Sequence, residues 1–438
     1  MSTHTTHENK NDFRSLGIDP AILSVLDARR IVTPTPIQHQ SIAPALEGKD
    51  LIGIAQTGTG KTLAFGVPII QAALLRPGKP TPKTTKALIL APTRELVNQI
   101  ASALAALTKQ MKLRVTTVVG GASLGKQLNI LSKGTDILVA TPGRLIDLLE
   151  RGGIDLSTTN HLVLDEADQM LDIGFIHALR KIVPYLSETR QTMLFSATMS
   201  KQMEGLSKTY LSDPQRVEVS PPGITADLVK QSVQFIDKAK KPFMLREILD
   251  QHKGIPTLIF SRTKHGAEKL KTGLVVDGFK ATSVHGNKSQ GQRDRAIKTF
   301  RSGEMDILVA TDVAARGIDI PGVGLVINYE LPNVAESYVH RIGRTARAGR
   351  SGKAISLCAA DERKHLKDIE KLIKMPIETI GEVPPQSAEE SKNTSRRGNG
   401  PKKKRFHPRD KMKNAQNPGN GHRHRRGKGK AHSNKTAA

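Results

Sequence analysis

The sequence is poor in cysteine and in aromatic side chains, and both shortages exclude functions. A single Cys358 excludes an internal disulfide framework and a four-cysteine zinc site. Aromatic residues make up 3% of the chain and Trp is absent; residues 391–438 hold one aromatic, Phe406, so this segment lacks the stacking platforms of modules that read bases. No apolar run approaches the length of a membrane span, and the polar N-terminus lacks the apolar core of a signal peptide. We therefore expect a cytoplasmic protein without a membrane partner.

Positive charge is in excess and unevenly distributed. The formal net charge of +26 predicts a polyanionic partner. Residues 391–438 hold 16 Lys and Arg against one acid, which leaves +11 for residues 1–390. This segment has too little apolar surface to fold, so we predict a disordered basic tail that tethers phosphates non-specifically. A tail that serves only solubility is the alternative. The PKKKR run at 401–405 also fits a nuclear import signal, but we attribute it to bulk charge.

An internal repeat predicts two domains of one α/β fold with parallel sheets. ALILAPT at 87–93 matches TLIFSRT at 257–263, and DILVAT occurs at both 136–141 and 306–311, each pair 170 residues apart. Strand-length apolar runs alternate with helical stretches throughout this region, as in parallel sheets. The predicted organisation is a flexible N-terminus (1–12), a first domain (13–216), a linker (217–229), a second domain (230–378) and the tail (379–438).

One stretch, AQTGTGKT, predicts a phosphate-binding loop. It follows an apolar strand and precedes a helical segment, the context in which backbone N–H groups and a helix N-terminus face phosphates. Lys61 would reach the outer phosphates and the Thr62 hydroxyl would bind Mg²⁺. An ordinary glycine-rich turn is the alternative, since Ala55 replaces the usual first glycine. The second repeat has no such loop. The predicted nucleotide-binding residues are Ala55, Gln56, Thr57, Gly58, Thr59, Gly60, Lys61 and Thr62.

Carboxylates follow a later strand, in LVLDEAD. Asp165 can hold Mg²⁺ directly or through water, and Glu166 can orient or deprotonate an attacking water. A helix cap is the alternative for an isolated pair of acids. The strand TMLFSAT ends in hydroxyl residues, Ser196 and Thr198, which can hydrogen-bond Asp168 or act as helix caps.

The run HRIGRTARAG supplies arginines at a spacing of three. Arg344 and Arg347 would share a face of a helical turn, and their planar guanidinium groups suit phosphate oxygens. If that face meets the loop across a cleft, both act as arginine fingers during phosphoryl transfer. A basic surface is the alternative when the run is considered alone.

With DEAD at 165–168, the sequence resembles the DEAD-box RNA helicase family from about Phe13 to Met375, and bacterial RhlE-like helicases most of all. The resemblance implies two tandem RecA-like domains that bind ATP and RNA across their cleft. It assigns Arg344 and Arg347 as fingers, although Ala346 replaces a common glycine. It also gives a group of residues a role in coupling catalysis to closure of the domains: Asp168, Ser196, Thr198, His340 and Arg341.

The resemblance also identifies TPTPIQ as a Q motif. Gln38 would then pair with the adenine edge, Phe13 would stack on the base, and Asp319 would meet the ribose. A carboxamide can both donate and accept at adenine, which suits ATP over GTP. Arg30 and Ile31 stand where the motif usually has glycine and an aromatic residue.

RNA contacts are likewise implied by the resemblance. They fall after predicted strand ends, on one rim of each sheet, where ligands of such folds gather. Contacts to phosphate and sugar carry no base identity, so binding is expected to be independent of sequence. The implied RNA-binding residues are Pro92, Thr93, Arg94, Gly121, Thr141 and Arg144 in the first domain, and Arg262, Arg293 and Thr311 in the second.

The leading functional hypothesis is an RNA-dependent ATPase that unwinds short RNA duplexes or remodels RNA–protein complexes. An ATP-gated RNA clamp or assembly scaffold is a second hypothesis that the motifs leave open. DNA translocation is a third. Ribosomal precursors and RNA decay proteins are the partners compatible with the resemblance.

Overall fold

The computed structural model describes residues 12–56, 58–219, 229–315, 322–346 and 352–382. The predicted flexible N-terminus before Asp12 and the predicted tail from residue 383 onward lie outside the described residues. Within the described part, no helix combines the length and the apolar character that crossing a membrane requires.

Seven parallel strands form the first sheet, in the order β3-β4-β2-β5-β6-β1-β7. Most of its residues are buried on both faces, which is typical of parallel sheets covered by helices on either side. One apolar core lies on each face. The strands are β1 (Leu51–Ile54), β2 (Thr85–Leu90), β3 (Val115–Val118), β4 (Thr135–Ala140), β5 (His161–Leu164), β6 (Gln191–Ser196) and β7 (Gln215–Glu218).

Helices follow most of these strands, and some of them begin at a residue whose side chain caps the helix. Thr93 and Ser200 accept backbone N–H groups at the starts of α4 and α9, which satisfies donors that would otherwise lack partners. The helices are α1 (Pro20–Ala28), α2 (Pro36–Leu46), α3 (Lys61–Leu74), α4 (Arg94–Thr108), α5 (Leu124–Leu131), α6 (Pro142–Glu150), α7 (Ala167–Asp172), α8 (Ile176–Ile182) and α9 (Lys201–Tyr210).

The second sheet repeats the first, in the order β10-β11-β9-β12-β13-β8-β14. Its strands are β8 (Val229–Phe235), β9 (Thr257–Phe260), β10 (Ala281–Val284), β11 (Ile307–Ala310), β12 (Leu325–Asn328), β13 (Gly352–Cys358) and β14 (Glu378–Thr379). Its helices are α10 (Lys241–Gln251), α11 (Lys264–Val276), α12 (Gln290–Arg301), α13 (Asp312–Ala315), α14 (Ala335–Ile342) and α15 (Arg363–Ile373).

The two sheets place the repeated segments at equivalent positions. The two DILVAT copies contain β4 and β11, which are each second from the sheet edge, and β2 and β9 are each third. The predicted pair of parallel-sheet domains with one fold is therefore confirmed. β7 ends at Glu218 and β8 begins at Val229, and the linker bounds of 217–229 stay a prediction. Residues 220–228 lie outside the described residues.

Candidate nucleotide and RNA site

The predicted phosphate loop joins β1 to the first turn of α3. Gly58 and Gly60 have φ angles of 90° and 94°, a region that glycine enters without steric cost. A Cβ atom on Gly60 would lie 2.3 Å from the Nε2 atom of Gln38, so this position also requires glycine for space. The helix begins at Lys61, which directs its N-terminus toward the loop. Thr57 lies outside the described residues.

Lys61 and Asp165 are buried side by side at this loop. The Lys61 Nζ atom is 4.0 Å from Asp165 Oδ1 and has no hydrogen-bond partner among the described residues. Burial raises the pKa of the Asp165 carboxyl to about 6, and the Lys61 charge offsets only part of this effect. An ammonium group without a hydrogen bond and a poorly neutralised carboxylate fit a phosphate oxygen and a hard divalent cation respectively. Thr62, on the same turn, offers a further oxygen.

Glu166 has a left-handed backbone, with φ of 50° and ψ of 50°. Such a conformation costs a non-glycine residue roughly 1–3 kcal/mol and is often retained at functional sites. Its backbone N–H donates to Asp165 Oδ1 at 3.0 Å, which holds the two acidic residues in a fixed relation. Both residues line the same cavity as the phosphate loop.

Asp168 links the same segment to the loop that follows β6. Its Oδ2 atom accepts hydrogen bonds from the N–H groups of Ala197 and Thr198, both at 3.1 Å, and from the Thr198 hydroxyl at 3.2 Å. Ser196 donates instead to the Thr198 carbonyl at 2.7 Å. Thr198 thus contacts Asp168 directly, whereas Ser196 shapes the turn that presents it.

The Gln38 side chain binds the phosphate loop. Its Nε2 atom donates to the Gly60 carbonyl at 3.0 Å, and its Oε1 atom accepts from the Thr35 N–H at 2.9 Å. Phe13 is only 1% exposed and packs in the apolar core of the first domain. Its role as a stacking ring stays a prediction. Its burial among apolar side chains decides its position.

A cavity of about 1020 Å³ adjoins the phosphate loop and is bounded by both domains. The first domain supplies the loop, the acidic residues and part of α4, and the second supplies one face of α12. The residues from α12 and the turn after it are Asp294, Ile297, Lys298, Arg301 and Ser302. A nucleotide bound at the loop would therefore lie beside the second domain.

The arginines of HRIGRTARAG have different environments. Arg341 is 1% exposed and binds both carboxylate oxygens of Asp312, the second at 2.7 Å. It holds α13 and α14 together inside the second domain. Arg344 is also buried, and its Nε atom donates to the His340 carbonyl at 3.2 Å. Arg347 and Asp319 lie outside the described residues.

In the first domain, several predicted RNA-binding residues converge on the loop after β3. Gly121 has a φ of 68°, and a Cβ atom there would lie 2.0 Å from the Nη2 atom of Arg94. Arg144 donates to the Ala122 carbonyl at 3.0 Å. The other predicted RNA-binding residues of this domain follow the carboxyl ends of β2 and β4: Pro92, Thr93 and Thr141.

Arg94 of the first domain and Arg293 of the second are linked by two residues that the sequence did not indicate, Glu95 and Gln290. Glu95 accepts from Gln290 Nε2 at 2.9 Å and from Arg293 Nη2 at 3.1 Å. Arg94 Nη1 donates to Gln290 Oε1 at 3.4 Å. Glu95 and Gln290 adjoin predicted residues in sequence, but nothing local indicates that they would pair over almost 200 positions.

Arg262 makes contacts within the second domain. Its Nη2 atom binds Glu362 Oε1 at 2.7 Å and the Leu331 carbonyl at 3.0 Å. The other oxygen of Glu362 binds Lys241 at 2.5 Å. This buried acid, which the sequence did not indicate, therefore positions the guanidinium. Thr311 is buried where β11 leads into α13.

A phosphate loop in one parallel-sheet domain, with a second domain of the same fold at its cavity, defines a two-domain nucleotide-dependent motor or remodelling enzyme. The sequence matches the DEAD/DEAH box helicase family over residues 35–206 and the helicase conserved C-terminal domain over residues 240–349. The chain belongs to the DEAD/DEAH box helicase family, and its activity is that of an ATP-dependent RNA helicase.

Relatives and solved structures agree on this family. The chain is 45% identical over 350 residues to the ATP-dependent rRNA helicase RRP3 of Gibberella zeae, covering 80% of this chain and 71% of that protein. It is 42% identical to the ATP-dependent RNA helicase CshA of Limosilactobacillus reuteri, covering 83% and 72%. Dbp5 of S. cerevisiae bound to RNA and ADP BeF3 superposes with a TM-score of 0.76 at 30% identity, covering 88% and 98%. The RhlE-like grouping stays a prediction.

Proposed function

We propose that the chain closes its two domains on ATP and RNA, and that this closure separates short RNA duplexes or remodels RNA–protein complexes. The observation that carries the proposal is the cavity at Lys61 and Asp165, because α12 of the second domain forms part of its wall. A nucleotide bound there is positioned to change the relation between the domains, which couples hydrolysis to a mechanical step.

The buried residues suit phosphoryl transfer. Lys61 donates to an outer phosphate oxygen, and Glu166 orients or deprotonates the attacking water. Thr62 and Asp165 would hold Mg²⁺, partly through water, and the ion would neutralise charge on the transferring phosphate. Asp168, bound to Thr198, carries a change at the acidic segment to the loop after β6. Arg344 and Arg347 are proposed to complete the site from the second domain.

The RNA is proposed to lie along the carboxyl edges of both sheets. Arg94, Gly121 and Arg144 converge there, and Arg293 faces them through Glu95. Dbp5 was solved with RNA bound, and RRP3 is described as an rRNA helicase, which supports RNA as the ligand and ribosomal precursors as one class of target. The basic tail is proposed to add non-specific affinity in a cytoplasmic protein.

Two substitutions test the assignment. Lys61→Ala should lower RNA-stimulated ATPase activity at least 100-fold by removing phosphate binding. Glu166→Gln should do the same while leaving ATP binding intact, because only the general base is lost. Lys49→Ala, which changes an exposed lysine on the same domain, serves as the matched control.

Strand displacement on a short RNA duplex completes the test. We expect the control protein to unwind the duplex with ATP and both variants to fail. Full RNA-stimulated ATPase activity in either variant would refute the catalytic assignment. ATP-dependent RNA binding without any unwinding by the control protein would favour a clamp.

A further inference from the structure

A group of exposed cations lies at the amino ends of three adjacent strands in the first sheet. The loops before β2, β3 and β4 span residues 75–84, 109–114 and 132–134, and none contains an acidic residue. These strands are neighbours in the order β3-β4-β2, so their loops share one corner of the domain. We call this surface the basic corner. It consists of Arg76, Lys79, Lys83, Lys109, Lys112, Arg114 and Lys133, all exposed.

Hydrogen bonds join the three loops into one surface. Thr135 donates its N–H to the Thr84 carbonyl at 3.0 Å, which connects the loops before β4 and β2. Arg114 Nη1 donates to the carbonyls of Lys133 at 2.9 Å and Gly134 at 2.7 Å, which connects the loops before β3 and β4. A Cβ atom on Gly134 would lie 2.1 Å from the Thr81 carbonyl oxygen. The three loops that bear the cations are therefore held together by hydrogen bonds.

Among the described residues, no carboxylate lies within ion-pairing distance of these seven side chains. Two acids lie close by: Asp136 is buried and pairs with Lys86 at 2.9 Å, and the exposed Asp155 donates its backbone N–H to the Lys83 carbonyl at 2.7 Å but forms no ion pair with a corner cation. Seven like charges at one corner repel each other, so their concentration opposes folding. A polyanionic partner would relieve that repulsion and would release its own counterions on binding.

The second domain provides an internal comparison. Its equivalent loops, before β9, β10 and β11, span residues 252–256, 277–280 and 302–306. They contain two lysines and three acids, but one of these acids, Asp306, corresponds to Asp136 within β4, so the equivalent loops have a net charge of 0, against +7 in the first domain. Because the two sheets have the same strand order, the fold itself does not require a basic corner. The charge difference therefore points to a role specific to the first domain.

We propose that the basic corner is a second RNA-binding surface. It binds the phosphate backbone of a structured RNA segment, such as a hairpin, that flanks the single strand in the cleft. The corner lies at the amino ends of strands whose carboxyl ends hold the predicted RNA contacts. A strand of six residues such as β4 separates the two edges by about 20 Å. A short single strand in the cleft therefore does not reach the corner, whereas a hairpin next to it does.

The composition of the surface favours phosphate groups over lipid or bases. The three loops contain no aromatic side chain, so base stacking contributes nothing. Leu75 is their one strongly exposed large apolar residue, too little for insertion into a bilayer. The inference rests on RNA as the ligand of the chain, and it concerns an edge of the domain that the proposed mechanism does not use.

The test compares two triple variants of the full chain. The first neutralises exposed corner lysines, Lys79→Gln, Lys112→Gln and Lys133→Gln. The matched control neutralises three exposed lysines elsewhere, Lys208→Gln, Lys253→Gln and Lys280→Gln, so both variants have the same net charge. Fluorescence anisotropy measures the affinity of each for a short single-stranded RNA and for the same strand extended by a hairpin, across a range of salt concentrations.

We expect the corner variant to bind the hairpin RNA about tenfold more weakly at low salt, with a salt slope reduced by about 2. Its affinity for the short strand and its ATPase activity with that strand should stay within twofold of the unsubstituted chain. The control variant should lose less than threefold on both RNAs. Retained ATPase activity with the short strand separates failure of this inference from failure of the proposed function.

Three outcomes would overturn the inference. Equal losses in both triple variants would assign the effect to net charge alone. Equal losses on both RNAs would place the corner within the cleft site. Unchanged RNA affinity, combined with reduced binding to phosphatidylserine vesicles in the corner variant only, would assign the surface to a membrane.

Discussion

The ion pair between Glu95 and Arg293 should stabilise the contact between the two domains, and Glu95→Gln isolates its contribution. The substitution keeps the shape of the side chain and its acceptor oxygen for Gln290, but removes the charge that faces Arg293. A hydrogen bond to a charged group contributes roughly 1.5–3 kcal/mol. Arg293 retains some solvent exposure, so we expect a loss of about 1–2 kcal/mol. That corresponds to a five- to thirtyfold smaller ratio of associated to separated domains.

Energy transfer between one dye on each domain measures this population directly. The single native thiol, Cys358, is buried, so introduced cysteines at exposed positions can be labelled selectively. We expect the variant to need more ATP and RNA to reach the high-transfer state. Glu47→Gln, an exposed acid of the first domain, is the matched control and should behave like the unsubstituted chain.

A double-mutant cycle decides whether the ion pair is the cause. If it is, Arg293→Gln should have a similar effect, and the two changes together should be no worse than either alone. Fully additive effects, or unchanged energy transfer in Glu95→Gln, would refute the reasoning. RNA affinity of the isolated substitutions should be measured in parallel, because Arg293 is also a predicted RNA contact.

Two further predictions concern single residues of the site. Asp165→Asn should abolish ATPase activity, yet raise the melting temperature of the metal-free protein by about 4–8 °C near neutral pH, since the buried carboxylate costs about 2 kcal/mol there. Because burial raises its pKa to about 6, the contribution of this carboxyl to stability is lost as pH rises through that value, so the gain should vanish near pH 4. Gly121→Ala should weaken RNA binding at least tenfold, because its Cβ atom would displace the Arg94 guanidinium.

Controls for both follow from the structure. Glu188→Gln, at an exposed acid of the same domain, should leave the melting temperature unchanged at either pH. A metal-free Asp165→Asn protein that melts no higher than the unsubstituted chain would contradict the burial argument. Gly125→Ala has open space around its Cβ position and should leave RNA binding intact. Equal losses in the two glycine variants would refute the steric explanation.

Local chemistry explains which features of the site were predictable. The phosphate loop is recognisable because its strand, glycines, lysine and helix lie within a few consecutive residues, and their geometry follows from glycine torsions and helix polarity. The acidic segment is recognisable for the same reason. The contact of Thr198 with Asp168 joins two segments that each follow a strand, and adjacent strands of a parallel sheet bring such ends together.

Long-range packing decided the environments of the arginines and of Phe13. Whether an arginine faces a ligand or an acid depends on its neighbours in space: Arg341 is buried against Asp312 and Arg293 binds Glu95, almost 200 positions away. Phe13 lies in the core because burial of its apolar ring is favourable.

The sequence by itself determined the repeat, the parallel sheets and the nucleotide chemistry, since strand periodicity and loop torsions are local properties. Only the tertiary structure decided the charge partners and gathered three separate loops into the basic corner. Those arrangements depend on which strands become neighbours, and a linear sequence contains no direct measure of that distance.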